Sequence, residues 1–199
     1  MNYIELSLKE LRDVSIGVAE KIVEEQKIDL LIYVARAGFP IALYMNEIIN
    51  VPLLGIGAQR TGNKLKNFLG IFVKCLPNIV RNILISLELK INVHKHNSER
   101  QISFHESIKE LDTKQYKNIL LVDDSVDTGH SMKQCSEEIK RQFPEANIIT
   151  YSLNVWEKSK ELFMTDYYSY RDTIIKSPMS KDAKEYKKFC EMYNEKTKN

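Results

Sequence analysis

Asp123, Asp124 and Asp127 crowd three carboxylates into five residues of the stretch Ile119-Leu120-Leu121-Val122-Asp123-Asp124-Ser125-Val126-Asp127-Thr128-Gly129-His130-Ser131. Carboxylates accept hydrogen bonds from hydroxyls and can take a proton. Thr128, His130 and Ser131 add donors, and Gly129 lets the backbone come close to a ligand. The four apolar residues before the acids predict a strand buried on both faces, as in a parallel sheet. That strand is expected to end on Asp123-Asp124, with a short polar turn next and a helix from near Ser131. A strand, a turn and a helix N-terminus aim free N–H groups and the helix dipole at one point. The chemistry suits a ligand with hydroxyls at one end and a phosphate at the other.

Acid pairs at strand tips are common, so the pair alone says little. The whole stretch is specific, and it resembles the 5-phosphoribosyl-1-pyrophosphate (PRPP) signature of the type I phosphoribosyltransferases, with no position out of pattern. The resemblance implies an α/β fold with a central, mostly parallel sheet flanked by helices, and a small hood built from the chain ends. It implies that Asp123 and Asp124 accept hydrogen bonds from the ribose hydroxyls. It further implies that Asp127, Thr128, Gly129, His130 and Ser131 cradle the 5-phosphate, with Ser125 and Val126 also in the PRPP-binding stretch. Mg²⁺ is the implied cofactor, bridging pyrophosphate and ribose and touching Asp123 and Asp124 only through those hydroxyls. Asp127 would be a general base toward the acceptor.

A second strand–turn–helix unit stands upstream. Ile28 to Ala35 predicts a strand and Ile41 to Ile49 a helix, and two such units point to a parallel α/β sheet. Between them runs Ala35-Arg36-Ala37-Gly38-Phe39-Pro40. The family's pyrophosphate loop usually reads Ala-Arg-Gly-Gly, so Ala37 replaces one glycine. By the resemblance, Ala35, Arg36, Ala37 and Gly38 hold pyrophosphate, Arg36 supplies charge, and the loop carries a non-proline cis peptide.

The rest of the chain must position these loops. Ser7 and Glu10 have capping-box spacing at the start of an amphipathic helix to Glu25. Val51 to Ala58 predicts a third strand, followed by a turn over residues 59–63. Residues 64–92 read as an apolar helical insertion with a narrow polar stripe through Lys74, Arg81 and Glu88. Extra core or a dimer interface is one reading of it, and an interfacial patch reaching a membrane-bound acceptor is the other. Residues 93–107 hold His94, Lys95, His96, Arg100 and His105. No third ligand has metal spacing, so a polar closing loop is expected there. Further strands are predicted from Lys117 and from Asn147 to Asn154, with a helix from Met132 to Gln142 between them. Residues 155–199 are expected to form the hood and a charged C-terminal helix whose stripe is Tyr186, Phe189, Cys190 and Tyr193.

Composition bounds the rest. The chain has 199 residues, 43% apolar, with a formal net charge of +2. One phosphoribosyltransferase domain is expected, with enough apolar residues for a real core. The charge gives no case for nucleic acid. Cys75, Cys135 and Cys190 are widely spaced and predict neither disulfides nor a zinc site. The N-terminus has no basic start followed by an apolar run, and no window reads as a spanning helix. A cytoplasmic protein is expected, with peripheral contact at the inner membrane face if the apolar segment is interfacial. A homodimer is the expectation that the resemblance carries.

The hood should choose the acceptor. In the purine enzymes of this family a lysine binds the 6-oxo group and an aromatic ring stacks on the base. Alignment puts Asn154 and Ile174 at those positions, beside Trp156. A site without a donor for a buried carbonyl discriminates poorly for such a base. The favoured acceptor is therefore a hydroxyl of a lipid-linked glycan in surface polysaccharide synthesis. Purine salvage is the alternative, and it would need Lys158 or Trp156 in the pocket. A PRPP-sensing regulatory protein is a third reading.

Overall fold

The computed structural model describes residues 2–60, 100–105, 108 and 112–196. The segment 64–92, with His94, Lys95 and His96, lies outside the described residues. Two compact units divide the chain, Met1–Ala58 with Ile102–Asn199, and Gln59–Gln101. The first unit holds both strand–turn–helix stretches, and two strand ends run on into the second.

Among the described residues, strands β1 (Asn2–Glu5), β2 (Leu30–Ala35), β3 (Leu53–Arg60), β4 (Arg100–Phe104), β5 (Asn118–Val126), β6 (Asn147–Val155), β7 (Tyr167–Arg171) and β8 (Thr173–Lys176) are interspersed with four α-helices. The helices are α1 (Leu8–Glu25), α2 (Gly38–Ile49), α3 (His130–Gln142) and α4 (Tyr186–Lys196). Six strands form one sheet in the order β4-β3-β2-β5-β6-β7. Its β2–β3, β2–β5, β5–β6 and β6–β7 pairs are parallel. A separate parallel pair joins β1 to β8, with Tyr3 opposite Ile174. The α/β fold class expected from the two strand–turn–helix units is thus present.

Alternation along the strands builds a core on each face of the sheet. Leu31, Tyr33, Leu120 and Val122 face one side, with Phe39, Ile41 and Met45 of α2 and Leu11, Ala19 and Ile22 of α1. Leu30, Ile32, Ile119 and Leu121 face the other, with Met132, Cys135 and Ile139 of α3. Helices on both faces let the central strands be apolar throughout.

Several boundaries differ from expectation. β3 runs through Gln59 and Arg60, where the sequence predicts a turn. β5 continues past the acid pair to Val126 because β6 pairs with it that far, Val126 lying opposite Val155. α2 starts at Gly38 and α3 at His130, each earlier than the apolar pattern implies. Residues 100–104 form a strand inside the expected closing loop. The C-terminal helix starts only at Tyr186. Before it, the N–H groups of Ser180, Ala183 and Tyr186 each bond three residues back, giving a string of turns.

Two local contacts fix the ends of the helices. Ser7 caps α1, its hydroxyl accepting from the Glu10 N–H while the Glu10 carboxylate accepts from the Ser7 N–H. Gly38 lets α2 lie against β5, since a Cβ there would stand 2.7 Å from the Val122 carbonyl oxygen. Replacing Ser7 with Ala should lower stability by about 1 kcal/mol. Gly38→Ala should lower it by about 1–3 kcal/mol, because α2 must move off the sheet. Urea denaturation of both variants would check the order.

Candidate active site

The strand order reverses between β2 and β5. The chain leaves β2 toward β3 on one side and leaves β5 toward β6 on the other. A crevice opens between such diverging connections, at the carboxyl ends of the strands. The β2–α2 and β5–α3 loops, which carry the residues expected to do chemistry, flank this crevice.

On the β2 side, the Ala35–Arg36 peptide is cis, as the resemblance implies for this loop. Ala37 is the N-cap of α2 in ordinary right-handed backbone (φ −74°, ψ −26°). That conformation is open to alanine, so the departure from the family's double glycine is sterically free. The glycine that must stay small, Gly38, is retained. Arg36 is exposed, and its guanidinium turns to α4.

On the β5 side, β2 pairs with β5 only as far as Val122. Beyond it, Asp123 and Ser125 pair with β6 alone, leaving the other edge to the crevice. Asp123 is buried, and its Oδ1 accepts the Asp124 N–H at 2.8 Å. Asp127 is exposed and its Oδ1 accepts from the Ser125 hydroxyl at 3.2 Å. Gly129 is the N-cap of α3 with φ +83°, a value that favours glycine. A Cβ there would also meet Phe163 at 2.8 Å. Glycine has no side-chain oxygen to cap the helix, so the first N–H groups of α3 stay open to an anion. Thr128, His130 and Ser131 ring that helix start.

A cavity of about 230 Å³ adjoins these acids. Asp124, Ser125 and Asp127 line one side, and Asn154, Trp156 and Ile174 the other. The three residues expected from alignment to meet the acceptor therefore share one cavity with the signature acids. Register explains it, since Ser125 lies beside Asn154. Asn154 is buried and its Oδ1 accepts from the Thr173 N–H at 3.4 Å. Its amide nitrogen has no protein acceptor among the described residues. Lys158 is not part of the lining; its ammonium lies over the Trp156 ring, 5.9 Å from the centre. Thr173, Ile175 and Ser177 also line the wall, within the hood stretch expected to choose the acceptor, and Leu153, which the sequence did not single out, completes it.

Burial raises the pKa of Asp124 above the ordinary carboxylate value, and the charge of Asp127 adds to the rise. The folded protein therefore holds that proton more tightly than the unfolded chain does. The stabilisation is complete below the unfolded value of about 3.9 and is lost as pH rises through the folded one. Asp124→Asn should accordingly be more stable than the parent at pH 8, with the gap closing toward pH 4. Melting temperatures across that range would check it.

Among the described residues, no group of three or more His, Cys, Asp and Glu could hold a metal ion, and no helix is long and apolar enough to cross a membrane.

No curated protein matches the chain in sequence. Solved structures do match in fold. A purine phosphoribosyltransferase from Pyrococcus horikoshii is 21% identical, with a TM-score of 0.61 over 92% of this chain and 97% of that one. The Helicobacter pylori xanthine-guanine-hypoxanthine phosphoribosyltransferase is 16% identical, with a TM-score of 0.62 over 94% and 99%. A Neisseria gonorrhoeae protein solved with bound ppGpp is 14% identical, with a TM-score of 0.60 over 98% and 97%. At these identities the likeness concerns the fold alone. The model of the phosphoribosyl transferase domain matches residues 7–183, so the chain belongs to that family and is a type I, PRPP-dependent phosphoribosyltransferase.

Proposed function

We propose that the acceptor enters the cavity between Asp127 and Ile174, and that it is a sugar hydroxyl, as in a lipid-linked glycan, rather than a 6-oxopurine. The observation that carries this reading is the cavity wall, where Asn154 and Ile174 stand and, among the described residues, neither Lys158 nor any other cation contributes. A neutral amide offers a hydroxyl-rich ring a donor without the strong field that selects a purine carbonyl. Surface polysaccharide assembly is the setting this acceptor implies. The apolar segment 64–92, which motivated a membrane contact, lies outside the described residues and adds nothing to the proposal.

The residue roles follow from position. Asp123 and Asp124 accept hydrogen bonds from the ribose hydroxyls on the open edge of β5. The turn Asp127 to Ser131 and the start of α3 hold the 5-phosphate. The loop Ala35 to Gly38 holds pyrophosphate through its amides and Arg36. Asp127 takes the proton of the attacking acceptor, with Ser125 fixing one of its oxygens. Positive charge develops on the ribose ring as pyrophosphate leaves, and the nearby carboxylates stabilise it. Asp123 and Asp124 would hold Mg²⁺ only indirectly, through the ribose hydroxyls they accept from, because the ion prefers phosphate and hydroxyl oxygens. When bound, that ion would neutralise the leaving pyrophosphate.

A purine acceptor is the second reading, and Trp156 favours it because its ring lines the cavity and could stack on a base. Two of the similar structures are also described as purine phosphoribosyltransferases. A screen for pyrophosphate release from PRPP with Mg²⁺ separates the readings. Release with a lipid-linked glycan extract, and none with hypoxanthine, guanine or xanthine, is expected; turnover of one of these bases would overturn the glycan acceptor. Asp127→Asn should lower kcat by about 10²–10⁴ with little change in PRPP affinity. Ribose hydroxyls favour the ionised form of Asp124, so PRPP binding should release protons and weaken as pH falls. Titration calorimetry in buffers of different ionisation enthalpy would measure that release.

A further inference from the structure

Arg36 meets α4 rather than the acceptor cavity. Its guanidinium carbon lies 5.2 Å from the centre of the Tyr193 ring and 5.7 Å from that of Phe189. Its Nη2 donates to Cys190 Sγ at 3.4 Å. Three residues on one helix face therefore meet one guanidinium. The rings are themselves held, Phe189 being 2% and Tyr193 8% exposed. Tyr193 packs edge-on against Phe39 at 5.5 Å, and Phe39 against Tyr33 at 5.3 Å. Phe39 lies three residues beyond Arg36, so the loop and the helix share one stack of aromatic rings.

A guanidinium over aromatic faces uses its flat face and keeps its in-plane N–H edge for oxygen acceptors. Sulfur is a weak acceptor and occupies one nitrogen only. The side chain as a whole stays exposed. Free arginine side chains carry large rotamer entropy, which is lost when they clamp a phosphate. A seat of rings removes most of that freedom beforehand.

We infer that α4 is a seat for Arg36, and that Phe189 and Tyr193 are positioning residues holding its guanidinium for the pyrophosphate end of PRPP. This rests on the reading of Arg36 as a pyrophosphate contact. The C-terminal helix, outwardly a charged surface element, is then part of the donor-binding machinery.

The test measures binding of inorganic pyrophosphate with Mg²⁺ to the full chain by titration calorimetry. Four variants are compared: Arg36→Ala, Tyr193→Leu, Tyr193→Phe, and Arg36→Ala combined with Tyr193→Leu. Tyr193→Leu should weaken binding about two- to fivefold, the range expected for a cation–π contact at an exposed site. Tyr193→Phe keeps the ring and should bind like the parent. In the Arg36→Ala background, Tyr193→Leu should add nothing. Equal weakening in both backgrounds would mean that Tyr193 acts through general packing, and the seat would be wrong. Unchanged binding in Tyr193→Leu, with Arg36→Ala impaired, would also remove the seat while keeping Arg36 as a contact. Full binding by Arg36→Ala would overturn the pyrophosphate reading itself. Should Tyr193→Leu fail to fold, Phe189→Leu in the same two backgrounds gives the same discrimination.

Discussion

The unequal reach of β2 and β5 is the constraint on which the site depends. The two strands pair side by side up to Val122, and then β2 turns away at Ala35. β5 runs on to Val126 with a partner on one side only. A paired strand edge would have closed the space where Asp123 and Asp124 stand. The open edge, together with helices leaving in opposite directions, creates a polar slot at the top of an apolar sheet. Gly38 keeps the slot narrow by letting α2 rest on the Val122 carbonyl.

The parts of the molecule set by neighbours in the sequence are legible in the sequence itself. Apolar runs at Leu30 and Ile119, the capping box of α1 and the glycine before α3 are local signals. They yield the parallel sheet, its flanking helices and both ligand loops. The end of β5 is not legible, because carboxylates are poor strand residues and only pairing with β6 keeps them extended. Asn154, Trp156 and Ile174 emerge from comparison with a family pattern, and their common cavity follows from strand register. The remaining wall residues and the contact of α4 with Arg36 depend on parts of the chain far apart in sequence. No periodicity reports such contacts. The apolar stripe of α4 is visible, yet a stripe of Phe and Tyr reads as packing whether it meets a leucine or an arginine.

The site also trades stability for chemistry. Asp124 is held in a place that disfavours its charge, with Asp127 close enough to add to the penalty. A core built for stability alone would carry an amide or a hydroxyl there. The penalty is tolerable because both faces of the sheet are filled with fully buried Leu, Ile, Tyr and Phe. A ligand bearing hydroxyls adds hydrogen bonds to those that Asp124 already takes part in, so binding relieves part of the burial cost present in the free protein.

The hood adds a consequence in time rather than in space. β1 and β8 form a two-stranded sheet of their own, joined across almost the whole chain. Such a pair is marginal by itself, and closing so long a loop gives up much chain entropy. The six-stranded sheet has no such dependence on β1. Opening of the hood is therefore the cheapest excursion available to this half of the molecule, and its amides should exchange with solvent before those of β2 and β5.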